Sequence, residues 1–242
     1  MRYDKIILHE PHASIEGLYN NQLSFWKIDE AFINEAVVEL TDWHTDFLFH
    51  GLCDRRIKSV RFPYSRFIVD AERLWNDPLE KIGQGVLYRE YKGFCREIPA
   101  WARGRLFGLW HYHQQRLKRA LESSCNGTIG SAALLLDCHS FPAKMSDVDI
   151  CIGFNEDWSK PDIQTIEFAV NYFEERGYKV GINTPYSNSI APECGISYRS
   201  MMLEINKKTY LKGDTILLAS NSGRYGKNLS DVIAHFMQIL LE

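Results

Sequence analysis

The sequence feature that most constrains the fold is an unbroken apolar run that stops at polar residues. The run covers residues 132–136 and leads into Asp-Cys-His-Ser at 137–140. Such a run, preceded here by a glycine-containing turn at 126–130, is typical of a strand buried on both faces of a parallel sheet. Asp137 and His139 are two positions apart, so in extended chain they point to the same side. They follow the strand, at the edge where α/β sheets place their ligand sites.

The pair also has a structural interpretation, in which Asp137 only accepts a hydrogen bond from His139 in an ordinary turn. A nucleophilic role for Cys138 is a weaker alternative. Its side chain points away from that of His139, so the histidine could not easily act as its base. The choice between turn and ligand site depends on the rest of the chain.

The composition is that of an ordinary globular protein and argues against several kinds of partner. The chain has 242 residues, of which 45% are hydrophobic and 24% charged, and a net charge of -3. This charge gives no electrostatic basis for binding nucleic acid or an anionic membrane, and no apolar run is long enough to span a bilayer. Strands and helices alternate to the end of the sequence, which predicts one α/β domain over residues 1–242.

The six cysteines are widely spaced and include no Cys-x-x-Cys pair, so they do not predict a thiolate zinc site. The first residues lack the apolar segment of a secretory signal. We therefore expect free thiols and a cytoplasmic location.

Two candidate metal ligands follow the first predicted strand, at residues 5–9. His12 and Glu16 lie in the proline- and glycine-containing loop after it. If the two strands are parallel neighbours, these residues share one edge of the sheet with His139. Two histidines and a glutamate are a common ligand set of catalytic zinc, with the fourth position left for water. Taken alone, His12 and Glu16 would indicate only a surface loop.

Two further segments carry titratable side chains. Apolar spacing predicts a helix over residues 29–49, where Asp42 and Asp46 would share a face and could steady a ligand histidine. A solvated helix face is the alternative. Residues 60–73 hold arginines that could bind a substrate carboxylate, or pair with Asp70 or Glu72 instead: Arg61, Arg66 and Arg73.

Glu204 interrupts the apolar strand predicted over residues 197–211. A carboxylate buried without a partner is strongly penalised, so Glu204 needs a metal, an arginine or a catalytic role. Beside a metal site it could serve as a general base. The alternative is a residue on an edge strand paired with Arg199 or Lys207.

The remaining pattern predicts the framework around these residues. We expect helices over 100–123, 161–176 and 228–241, strands over 148–153 and 178–182, and a loop-rich segment over 77–97 with short strands near 86–88. His113 lies in the first of these helices. A polar loop that contains Asn183 follows the strand at 178–182.

Taken together, these segments resemble the N-formylglutamate amidohydrolase family. The resemblance lies in five blocks and one helical histidine: the Pro11-His12 loop with Glu16, residues 41–48, residues 65–73, residues 135–141, residues 203–206 with 210–211, and His113. It implies a three-layer α/β/α fold with a mixed, mainly parallel sheet, related to zinc carboxypeptidases. It also implies hydrolysis of N-formyl-L-glutamate to formate and glutamate in histidine degradation.

The resemblance assigns a role to each candidate residue. Zinc would be held by His12, Glu16 and His139, and Glu204 would activate the attacking water. Three residues would orient the metal ligands without contacting the zinc: Asp42, Asp137 and His113. The substrate carboxylates would be held by an arginine among Arg61, Arg66, Arg73 and Arg199, and the oxyanion by an arginine or Asn183.

Three departures from the family's sequence pattern bear on the substrate. Ala13-Ser14 stands where a glycine is common, Asn188-Ser189 replaces a glycine pair, and Asp70-Ala71-Glu72-Arg73 replaces Asp-x-Asn-Arg. The expected metal ligands are unchanged. Two other functions therefore stay open: a peptidase or murein-peptide amidase on the same scaffold, and a non-catalytic binding protein that retains the fold.

Overall fold

The computed structural model describes residues 2–124, 132–213, 215–219 and 228–242, so the predicted turn at 126–130 lies outside it. The strands in these ranges are β1 (Lys5–Glu10), β2 (Ile57–Arg61), β3 (Glu90–Tyr91), β4 (Phe94–Cys95), β5 (Ala133–Phe141), β6 (Ile150–Gly153), β7 (Val180–Ile182) and β8 (Arg199–Asn206). The α-helices are α1 (Glu30–Phe32), α2 (Val38–Leu40), α3 (Thr45–Leu48), α4 (Ala100–Ser124), α5 (Ile163–Glu174) and α6 (Leu229–Leu241). A π-helical turn (Ile33–Val37) joins α1 to α2, and 3₁₀ turns cover Pro78–Ile82 and Lys207–Thr209.

Six of the strands form one mixed sheet in the order β2-β1-β5-β8-β6-β7. β1 and β8 both run parallel to β5, and β6 runs parallel to β7. β6 pairs with β8 in the antiparallel direction. The predicted mixed, mainly parallel α/β sheet is therefore confirmed. β3 and β4 pair separately as a short antiparallel hairpin.

The chain divides into two compact units. The sheet unit contains Met1–Glu10, Trp43–Val60 and Leu117–Glu242, and the loop-rich unit contains Pro11–Asp42 and Arg61–Arg116. The single domain over residues 1–242 stays a prediction.

The core of the sheet unit explains why the central apolar run is unbroken. Leu134 and Leu136 belong to the cluster that also contains apolar residues of α5 and α6. Leu135 points the other way and belongs to the cluster with Leu117 and Leu121, from the end of α4. Helices thus cover both faces of the sheet, which gives this unit the expected three-layer α/β/α arrangement.

The central strand is longer than predicted. The sequence places its end at Leu136, whereas β5 continues to Phe141. The extra residues pair in register with β8, from Asp137 with Met202 to Phe141 with Asn206, so their backbone groups are satisfied within the sheet. His139 therefore lies inside a buried strand and not in a turn after it.

The helix predicted over residues 29–49 is interrupted, and the prediction that Asp42 and Asp46 share a helix face is wrong. Thr41 is extended, with ψ 133°, and His44 adopts a left-handed conformation with φ 60°. The backbone N–H of Asp42 donates to the carbonyl of His12 at 3.0 Å instead of continuing the helix. Asp42 consequently belongs to the loop-rich unit, whereas Asp46 belongs to the sheet unit.

The other helices lie within two residues of their predicted bounds. The strands predicted near 86–88 are wrong, because the short hairpin lies a few residues later, at β3 and β4. Cys125 lies outside the described ranges, and the five cysteines within them are free thiols. Within these ranges, no helix combines the length and hydropathy required to cross a membrane.

Candidate active site

One face of the sheet unit carries a row of polar side chains on three adjacent strands. His9 of β1 is in register with Asp137 of β5, and His139 of β5 is in register with Glu204 of β8. Residues paired across neighbouring strands point to the same face, as do Asp137 and His139 at a spacing of two. All four residues are buried, with exposed fractions between 0% and 7%. The fold therefore brings the predicted ligand histidine and the predicted general base together on neighbouring strands.

Asp137 is held by three hydrogen bonds. Its Oδ1 accepts from His9 Nδ1 at 2.7 Å and from His139 Nε2 at 3.0 Å. Its Oδ2 accepts from the backbone N–H of Ile190 at 3.0 Å. Burial opposes ionisation of Asp137, but His139 and His9 outweigh it and hold the pKa of the carboxyl below its usual value.

This arrangement fixes the proton on the imidazole of His139. An ionised carboxylate only accepts hydrogen bonds, so Nε2 of His139 carries the proton. In the neutral ring the lone pair then lies on Nδ1. A histidine that donates one N–H to a carboxylate and presents its other nitrogen is the usual form of a metal-ligating histidine.

Glu204 lies on an interior strand, in register with His139 on one side and Cys151 of β6 on the other. Burial raises the pKa of the Cys151 thiol, and the charge of Glu204 adds to this effect. Arg199 begins the same strand, five positions earlier, which is about 16 Å at about 3.3 Å per residue. Its Nη1 donates to the carbonyl of Trp158 at 2.8 Å. The structure does not bring Arg199 to Glu204, and Glu204 is not on an edge strand.

Asn183 follows β7 in a left-handed conformation with φ 51°. Its Oδ1 accepts a hydrogen bond from the backbone N–H of Phe154 at 2.9 Å. The side-chain oxygen of Asn183 thus joins the loop after β7 to the residue that follows β6. A role of its amide N–H groups in holding the oxyanion stays a prediction.

In the loop-rich unit, His12 is buried and lies among carboxylates. Its Nε2 is 2.8 Å from Asp70 Oδ1 and 3.8 Å from Glu72 Oε2. Its Nδ1 is 3.6 Å from Asp42 Oδ2. Ligand atoms of His12, Asp70 and Glu72 lie within 4.8 Å of one another. Nitrogen and oxygen donors of this kind suit zinc.

Asp70 also holds two of the predicted substrate-binding arginines. Its Oδ2 accepts from Arg66 Nη2 at 2.8 Å and lies 3.7 Å from Arg73 Nε. Burial opposes ionisation of Asp70, but Arg66, His12 and Arg73 together hold the pKa of its carboxyl below the usual value. The ion pairs with Asp70 that the sequence offered as an alternative are therefore present. Binding of a substrate carboxylate by Arg66 or Arg73 stays a prediction.

Three other predicted site residues also lie in the loop-rich unit. Glu16 is exposed, and its backbone N–H donates to Ser14 Oγ at 3.1 Å. Arg61 is exposed as well. His113 is buried, and its ring packs edge-on against Phe62 at 5.1 Å between centroids. The roles assigned to these three residues stay predictions.

Sequence reasoning missed His9. The residue lies in a predicted strand, and its only signal is that a histidine follows the three apolar residues 6–8. Aligning the carboxyl ends of β1 and β5 as parallel neighbours would have placed it beside Asp137. The sequence suggested Asp70 only as an ion-pair partner of an arginine, whereas Asp70 also contacts His12 directly.

Comparison with known proteins agrees with this architecture. The crystal structure of N-formylglutamate amidohydrolase from Ralstonia eutropha JMP134, at 2.00 Å resolution, has a similar fold, with a TM-score of 0.75. The match covers 99% of this chain and 95% of that one at 13% sequence identity, and at this identity it shows the fold alone. No curated protein matches the sequence.

The family comparison is more specific. The family model described as N-formylglutamate amidohydrolase matches residues 5–211, which is most of the chain. The match includes β1 with the His12 loop, the arginine-rich segment, and strands β5 and β8. The chain therefore belongs to the N-formylglutamate amidohydrolase family, whose members are hydrolases that act on amide bonds.

Proposed function

We propose that this chain is a zinc-dependent amidohydrolase that converts N-formyl-L-glutamate to L-glutamate and formate. Family membership supports the reaction class. The observation that carries the proposal is the pairing of His139 with Glu204 on neighbouring strands, with His139 held by Asp137. A carboxylate at this position, beside a histidine held in a fixed orientation, can accept a proton from water as a general base.

The metal ligands in this proposal are His12, Glu16 and His139. His139 supports it through the proton on Nε2, which leaves Nδ1 as the coordinating atom. His12 supports it through its buried position among carboxylates. Zinc, when bound, polarises the substrate carbonyl and makes water a stronger nucleophile.

Glu72 is the rival of Glu16 as the oxygen ligand, because its Oε2 lies 3.8 Å from Nε2 of His12. Metal analysis of Glu16→Gln and Glu72→Gln separates the two. We expect Glu16→Gln to lose bound zinc and Glu72→Gln to retain it. The reverse result would move the ligand assignment to Glu72 and leave the reaction unchanged.

The residues of this chain would then perform the proton transfer and hold the substrate. Glu204 accepts a proton from the attacking water as the C–O bond forms, and delivers it to the nitrogen as the C–N bond breaks. Arg66 and Arg73 have guanidinium donors beyond those directed at Asp70, and these, with Arg61, would bind the substrate carboxylates. The amide N–H groups of Asn183 would stabilise the oxyanion.

The test is formate release from N-formyl-L-glutamate by the purified, zinc-loaded protein, compared with cleavage of short acidic peptides. We expect formate in an amount equal to the glutamate produced, and no peptide cleavage. Cleavage of peptides alone would replace the proposal with the peptidase function. Binding of N-formyl-L-glutamate without turnover of any substrate would replace it with the non-catalytic function.

A further inference from the structure

His9 is a buried histidine that the proposed reaction does not use. Its side chain lies on β1 with no exposed surface, on the face to which Ile7 also points. A polar ring at such a position costs free energy unless its hydrogen bonds compensate for burial. Its Nδ1 donates to Asp137 Oδ1 at 2.7 Å, the shortest of the three hydrogen bonds to that carboxylate.

The same oxygen of Asp137 serves both histidines. Oδ1 accepts from His9 on one strand and from His139 on its own strand, while Oδ2 is occupied by the backbone N–H of Ile190. Three donors from three segments therefore fix the carboxylate in one orientation. Without the donor of His9, the buried charge of Asp137 would be satisfied less well, and the carboxylate would no longer be fixed in this orientation.

From this geometry we infer that His9 is a positioning residue, which acts through Asp137 to hold His139 in the orientation and tautomer that bind the metal. The inference rests on the proposed role of His139 as a metal ligand. Partners behind a ligand histidine typically change metal affinity 10–100-fold when removed, even though they never touch the ion. His9 would change the metal affinity from one hydrogen bond further away, through the Asp137 carboxylate that it shares with His139.

The experiment uses two amide substitutions that differ in where they place their N–H group. The amide of His9→Asn lies near the position of Nδ1 and can still donate to Asp137. The longer side chain of His9→Gln places its amide near Nε2, so it loses that hydrogen bond. The exposed His111→Gln is the matched control. His9→Leu, which has no side-chain donor, takes the place of His9→Gln if the latter does not fold.

The readouts are the zinc dissociation constant, by competition with a chromophoric chelator, and the visible absorption of the Co²⁺-loaded protein. We expect His9→Gln to weaken zinc binding about tenfold or more and to alter the Co²⁺ band. His9→Asn and His111→Gln should match the wild type in both. A cooperative unfolding transition of each metal-free protein shows that the variant is folded.

Two results would overturn the inference alone: wild-type zinc affinity in His9→Gln, or equal weakening in His9→Asn and His9→Gln. In either case the wild type would still bind zinc and hydrolyse its substrate, and the proposed function would stand. A wild-type protein that binds no zinc would instead overturn the proposed function, and the role of His9 with it.

Discussion

At the scale of single residues, Glu204 carries the proposed chemistry. It is 7% exposed on an interior strand, in register with His139. The proposed function gives this carboxylate the role of proton acceptor, and Arg199, one of the alternative partners, lies at the other end of β8.

The substitution Glu204→Gln tests this role. Glutamine keeps the size of the side chain and one acceptor oxygen but cannot take a proton from water. We expect kcat to fall about 10²–10⁴-fold, the usual contribution of general base catalysis, with the zinc content unchanged. The exposed Glu193→Gln is the control and should keep full activity. Activity of Glu204→Gln close to that of Glu193→Gln would assign the proton transfer to another group.

Asp70 is the residue that organises the polar cluster of the loop-rich unit. It is fully buried and contacts His12, Arg66 and Arg73. Removal of one partner from a buried ion pair leaves the other charge uncompensated, and typically costs about 3–5 kcal/mol.

We therefore expect Asp70→Asn to lower the free energy of unfolding by about 3 kcal/mol, measured by urea denaturation. Glu97→Gln removes an exposed carboxylate of the same unit and should change stability by less than about 0.5 kcal/mol. If the two variants unfold alike, Asp70 is not the organising charge of this cluster.

At the scale of secondary structure, the sequence predicts elements best where one physical signal dominates. The apolar spacing of α5 and α6 and the buried run of β5 are such cases. The sequence does not predict the end of β5, because Asp137 and His139 are polar residues that stay in the strand through pairing with β8. The sequence also does not predict the break in the helix after Leu40. This break depends on the left-handed backbone of His44 and on the hydrogen bond between the backbones of Asp42 and His12, which are tertiary features.

The candidate site follows the same rule. The pattern singles out polar residues after and within predicted strands, such as His12, His139 and Glu204, and their roles stay predictions. The hydrogen bonds of Asp137 with His9 and of Asp70 with His12 were not predicted, because they join residues 128 and 58 positions apart. Strand order and register, which a single sequence does not specify, decide which of these polar side chains meet.

The loop-rich unit has little regular structure, and a buried arginine holds its segments together. Arg96 follows β4 and is 3% exposed. Its guanidinium donates to four backbone carbonyls, those of Leu23, Ser24, Ile68 and Tyr88. Burial lowers the pKa of Arg96 to about 9, so the side chain stays charged at neutral pH.

Because hydrogen bonds to a charged donor contribute about 1.5–3 kcal/mol each, we expect Arg96→Met to destabilise this unit by at least about 3 kcal/mol. Limited proteolysis should then cleave first within residues 11–42 or 61–116. Arg105→Met, an exposed position on α4, is the control and should resist proteolysis like the wild type. Cleavage confined to the sheet unit in Arg96→Met would show that Arg96 does not hold these segments.

At the scale of the whole molecule, fold and family agree. The family match over residues 5–211 indicates a hydrolase that acts on amide bonds, and the TM-score of 0.75 shows that this chain shares its fold with an N-formylglutamate amidohydrolase. The family match thus gives the reaction class, and the substrate and the metal belong to the proposed function.

The most direct test is removal and return of the metal. We expect the purified protein to contain about one zinc per chain, to lose formate release from N-formyl-L-glutamate when a chelator removes it, and to regain activity with one equivalent of zinc. A His139→Ala variant should neither hold the zinc nor regain activity. Full formate release by the metal-free protein, or the absence of any release after zinc is restored, would contradict the account.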